Sequence, residues 1–113
     1  VEDTFETAVE HHAGYSVVSV AGEVDVATAP SLRDRLDEAS AEGPPLLIVD
    51  LSKVTFIDST ALGVLITAHR QAEDAGTGLR LVIAEPRIIK IFEITGLTEL
   101  FSIRPTRPEA VAG

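Results

Sequence analysis

The run Leu46-Leu47-Ile48-Val49-Asp50-Leu51 constrains this chain most. It is apolar at nearly every position, and Gly43-Pro44-Pro45 stops any structure entering it from the N-terminal side. A half-solvated strand alternates apolar and polar residues, whereas an unbroken apolar run bounded by breakers reads as a central strand covered on both faces. The rest of the chain must supply that cover.

Its segments do so in order. Thr4 to His11 alternates loosely and Tyr15 to Ala21 alternates through Val18 and Val20, with a turn at His12-Ala13-Gly14, which is a β-hairpin pattern. Gly22-Glu23-Val24-Asp25 reads as an exit loop. Thr28 is an N-cap candidate and Pro30 suits a first helical turn; Leu32, Leu36 and Ala39 then recur on one face. After the central strand, Ser52 to Ile57 reads as a loop into a helix reaching about Ala75, ended by Gly76. Leu79 to Ile83 is a further buried strand, Pro86 opens a third helix closed by Gly96, and Leu100 to Ile103 forms a short last strand. Pro105 and Pro108 mark a tail over 105–113, either flexible or the start of a last helix.

The order β-β-α-β-α-β-α-β implies an α/β fold: a mixed, mainly parallel sheet of four to five strands with an N-terminal hairpin and three to four helices. With 113 residues and no linker or repeat, residues 1–113 form one domain.

Composition narrows the function. The chain has no cysteine, which removes disulfides, thiolate metal sites and thiol catalysis. Its net charge of -9 disfavours nucleic acid and anionic membrane surfaces, both of which recruit Lys and Arg. No apolar run approaches the ~20 residues of a membrane span, and the N-terminus lacks the basic and apolar regions of a signal peptide. The expectation is a cytoplasmic protein without metal or cofactor, and a monomer.

The segment Phe56-Ile57-Asp58-Ser59-Thr60-Ala61-Leu62-Gly63-Val64-Leu65 puts three N-cap-type residues in a row at a loop–helix junction. Taken alone, Asp58 or Ser59 need only cap the helix, worth ~1 kcal/mol. However, Asp58-Ser59-Thr60-Ala61-Leu62-Gly63-Val64-Leu65 resembles the D-S-[ST]-x-L-G-x-L signature of the anti-sigma-factor antagonists, the small bacterial STAS domains. Gly22-Glu23-Val24-Asp25 with Thr28 is similar to that family's loop before its first helix, and Leu47 to Asp50 to its buried strand. Pro86 to Phe101 is similar to its third helix and the segment beyond that helix.

The resemblance implies a role. Ser59 would be the phosphoacceptor, with Thr60 a less favoured one. The partner would be an anti-sigma factor that is also a serine kinase of the GHKL type, using ATP. The unphosphorylated chain would bind that partner and release a sigma factor, and a PP2C-type phosphatase would reset it. Many members carry Gly where this chain has Ala61, an expected point of difference in the fit to a kinase. Asp25, Asp58, Ser59, Thr60, Leu62, Gly63 and Ile89 are the candidate partner-binding residues. Asp25 reads equally as a solvated loop carboxylate. Ile88, Ile89, Ile91, Phe92 and Ile94 cannot all face one core stripe, so Ile89 or Ile94 is expected at the surface, unless the helix is wedged between sheet and tail.

An enzyme reading finds no catalytic set. Ser59 lacks the glycines of a nucleophile elbow, and His69 lies about 15 Å further along the same helix. His11 and His12 would point opposite ways in a strand and make weak metal ligands, and there is no phosphate-binding glycine loop. The remaining alternative is a STAS scaffold or an accessory subunit of a stress-signalling or transport complex, with no obligatory phosphorylation.

Overall fold

A computed structural model describes residues 5–113. The strands are β1 (Glu6–His12), β2 (Tyr15–Val24), β3 (Leu46–Ile57), β4 (Gly78–Val82) and β5 (Ser102–Arg104). The helices are α1 (Ala29–Ser40), α2 (Ser59–Ala75), α3 (Pro86–Ile94) and α4 (Arg107–Ala112), with a 3-10 turn at Leu97–Glu99. The tail is therefore helical. Thr106 caps it by accepting the Glu109 N–H, and Pro108 falls in its first turn, where its missing N–H breaks no helical bond.

The sheet order is β1-β2-β3-β4-β5, antiparallel between β1 and β2 and parallel elsewhere. Each parallel step moves one place in the same direction, so right-handed crossovers put α1, α2 and α3 on one face. That face holds the main core, in which Val18, Leu32, Leu47, Val49, Leu65, Ile88 and Phe92 are buried. Among the described residues the other face is covered by α4 alone, over Val17, Ile48 and Val82, with Ala110 pressed among them. β3 is thus covered on both faces here, with Ile48 under α4 and Leu47 and Val49 in the main core, which is why its run carries no polar alternation until Asp50.

Two sequence expectations are corrected. Gly22 to Val24 is not a loop but the end of β2, and Ser52 to Ile57 is not a loop but the end of β3. This part of β3 pairs with β2 alone, beyond the reach of β4, so half its side chains meet solvent and the apolar pattern lapses. The register shifts twice between Ser19 and Glu23, with β3 carrying the extra residue each time. Each bulge breaks the two-residue period that would have marked a strand.

Candidate functional site

The site is built where β3 hands over to α2. Asp58 is the N-cap of α2, with extended backbone, and its Oδ1 accepts the N–H of Ala61 at 3.0 Å. Its Oδ2 accepts the N–H of Val26 at 3.0 Å, and its own N–H donates to the Val24 carbonyl at 3.1 Å. One carboxylate therefore ends the strand, starts the helix and ties the β2–α1 loop to both. Asp58 is used up by backbone N–H groups, so its charge is directed inward and its part in the site is positional.

Asp25 shapes the same loop. Its Oδ1 accepts the N–H of Ala27 at 3.0 Å and of Thr28 at 3.1 Å, closing a tight turn. Thr28 precedes α1 but makes no side-chain cap; its hydroxyl instead donates to the Glu23 carbonyl at 3.1 Å and accepts the Asp25 N–H at 2.9 Å. The Asp25 loop is thereby brought to Asp58, while the Asp25 carboxylate itself is spent within the loop.

On this frame Ser59 and Thr60 occupy the first turn of α2, both exposed, and Gly63 stands one turn on, also exposed. With no Cβ contact within 4 Å, Gly63 has open space around it. Ser59 thus stands in solvent at the positive end of a helix of 17 residues, a setting favourable to added negative charge.

Three of the expected residues are wholly or partly turned into the core. Leu62 is 8% exposed and Ala61 fully buried, both in the main core, because helical spacing turns them inward between Ser59 and Gly63. The Ala61 methyl therefore meets the core and is out of reach of anything at the surface. Ile89 is half-buried and packs against the main core beside Ile88; it is Ile94, on the opposite side of α3, that is exposed, at 74%. His69 packs edge-on to Phe101 at 5.5 Å, with Nε2 3.6 Å from a Glu73 oxygen, as part of the helix packing.

Two residues join the site that sequence patterns do not single out. Val26 is 68% exposed and Phe56 48% exposed. Val26 is fixed by its N–H to Asp58, and Phe56 lies in the β3 segment entering Asp58. Each leaves an apolar side chain in solvent on a segment that leads to Asp58 or is tied to it. An unspaced apolar residue is by default assigned to a core, so the only sequence sign is that neither fits a buried stripe.

No group of His, Cys, Asp or Glu able to hold a metal occurs among the described residues, and no helix among them is long and apolar enough to cross a membrane.

Known proteins share this architecture. The STAS domain profile matches residues 6–110, and the chain belongs to the STAS domain family. Among its relatives, the anti-sigma-B factor antagonist of Bacillus subtilis is 38% identical over 86 residues, covering 76% of this chain and 78% of that protein. The anti-sigma-F factor antagonist RsfB of Mycobacterium tuberculosis is 30% identical over 113 residues, covering 98% of this chain and 90% of that protein. The crystal structure of an anti-sigma factor antagonist from Mycobacterium paratuberculosis superposes with a TM-score of 0.89 at 37% identity, over 96% of this chain and 92% of that one.

Proposed function

We propose that this chain is an anti-sigma factor antagonist whose grip on an anti-sigma factor is released by phosphorylation of Ser59. The observation that carries the reading is the exposed Ser59 at the N-terminus of α2, next to the Asp58 carboxylate that ties the start of this helix to the Val26 loop. The names of the relatives support the partner class. The finer assignment is that the partner is a GHKL-type serine kinase using ATP, opposed by a PP2C-type phosphatase.

The physics of the switch is local. A phosphate adds nearly two negative charges and three acceptor oxygens. At the start of α2 the helix dipole favours that charge by ~0.3–2 kcal/mol, so the free protein stays folded. In the complex the same phosphate must shed water against the partner. If that costs roughly 3 kcal/mol, affinity falls about a hundredfold. Exposed apolar side chains such as Val26 supply binding that the phosphate then opposes, without being altered themselves.

The test is titration calorimetry of the Ser59→Ala and Ser59→Glu chains against the GHKL-type kinases of the source genome, with intact-mass and peptide mapping after incubation with ATP. Ser59→Ala is expected to bind as the unmodified chain does, Ser59→Glu about a hundredfold more weakly, and the added phosphate to map to Ser59. Equal binding by both variants, or a phosphate placed elsewhere, sinks the switch; no phosphate with an active kinase favours a scaffold role.

A further inference from the structure

The open edge of the sheet carries an inference independent of Ser59. β1 is an outer strand of seven residues, Glu6–His12, and it has no Pro, no Lys and no bulge against β2. Those are three of the usual devices that keep an edge from pairing; the charges it does carry, Glu6 and Glu10, oppose pairing only where no cation faces them. The opposite edge, β5, is protected by its length of three residues.

The direction of the free backbone groups is set by the hairpin. His12 pairs with Tyr15 across the turn Ala13-Gly14, and antiparallel pairs alternate between hydrogen-bonded and not. Glu6, Ala8, Glu10 and His12 thus direct their N–H and C=O towards β2. Those of Thr7, Val9 and His11 point outward, unpaired within the sheet.

The strand is also self-complementary. An antiparallel two-fold centred on Val9 sets Val9 against Val9, Thr7 against His11 and Glu6 against His12 of a second copy. Every outward N–H then meets an outward C=O. Glu6 and His12 share the face that carries α4, so an imidazolium at His12 would sit between Glu10 of its own strand, 3.0 Å away, and Glu6 of the second copy. Glu10 would stand diagonally across from Glu10 of the second copy, but Arg107 Nη1, 3.2 Å from its Oε2, offsets that charge. Tyr15 stacks on His12 at 4.7 Å and holds its ring in place.

We infer that the chain forms a weak symmetric homodimer by antiparallel pairing of β1 with β1 of a second copy, registered on Val9 and closed at each end by Glu6 facing His12. Edge pairing alone buries less than the ~1,200 Å² of a stable complex, so the dimer is transient and concentration-dependent. It leaves the α2 N-terminus open, because Ser59 comes after β3, two strands in from the edge.

The test is sedimentation equilibrium of the full chain at about pH 6, where imidazoles take up a proton. The unaltered chain should dimerise with a dissociation constant below about 1 mM. Glu6→Lys and His12→Glu each put like charges face to face and should weaken the dimer at least about tenfold, while the double variant restores opposite charges and should return it to near its starting strength. Both positions are exposed, and circular dichroism of each variant monitors its fold. Amide exchange gives the register: the N–H groups of Thr7, Val9 and His11 should gain protection as concentration rises. A chain that stays monomeric, a double variant that fails to recover, or unchanged exchange at those three amides overturns the inference.

Discussion

Two aspartates on and just after β3 do opposite kinds of work. Asp50, 8% exposed, points to the thinly covered face, where Arg107 of α4 reaches it with Nε and Nη2, each 3.0 Å from Oδ2. Asp58 lies at the end of the strand and meets only backbone N–H groups. Burial pushes the Asp50 carboxyl up, but the hydroxyl and N–H of Ser52 and the Arg107 guanidinium outweigh it and hold Asp50 below the ordinary carboxylate range. Arg107 also reaches Glu10, whose carboxyl is lowered by His12 first and Arg107 second. The first aspartate fastens an element by charge; the second fixes a geometry by hydrogen-bond direction. The difference teaches that the end of the molecule carrying Ser59 is organised by carboxylate-to-backbone bonds and, among the described residues, holds no ion pair at Asp58.

The comparison can be broken at either aspartate. The largest effect is expected from Arg107→Met, which leaves Asp50 buried without its ion pair. With Arg107 about a third exposed, the loss should be about 2 kcal/mol by urea denaturation, with α4 loosened and partner binding kept. The pH dependence separates the two chains further. A carboxyl depressed in the folded state stabilises above its unfolded value, ~3.9, and that stability is lost as pH falls through the folded value. Chemical denaturation from about pH 5 down to about pH 2 should therefore show stability falling more steeply for the unaltered chain than for Arg107→Met. Parallel curves would remove the role given to charge.

Asp58→Ala should cost somewhat less, about 1–2 kcal/mol, as expected for a lost N-cap. Unlike Arg107→Met it should also free the β2–α1 loop, read as faster exchange at the Val26 amide, and weaken partner binding. An unchanged Val26 amide would mean that the clamp is not what holds the loop. The smallest effect sharpens the placement of Ala61. Ala61→Gly should lose about 1 kcal/mol through helix propensity, with partner affinity unaltered, since the methyl is buried. A change in affinity at constant structure would return Ala61 to the docking face.

Much of this fold is legible in the sequence because its signals are local. Gly14 and Gly76 take positive φ in the hairpin turn and at the end of α2, as the sequence position of each suggests. The unbroken apolarity around Ile48 marks the doubly covered strand, and Asp58 before Ser59 marks a helix start. The features that escape are set by pairing at a distance. Lys53 and Thr55 look like loop residues because the bulged end of β3 has only one neighbouring strand. Leu62 looks available because its motif suggests a surface, whereas helix phase buries it. The exposure of Val26 and Phe56 depends on where two separate segments meet, which no periodicity within either one records.

The Asp58–Val26 hydrogen bond carries an evolutionary consequence. It asks only for a backbone N–H at position 26, so any residue except proline preserves the clamp while presenting a new side chain to solvent. Duplicated copies of this domain can therefore diverge at this point without rebuilding their folds, so a change of surface at position 26 need not be matched by a change in the core.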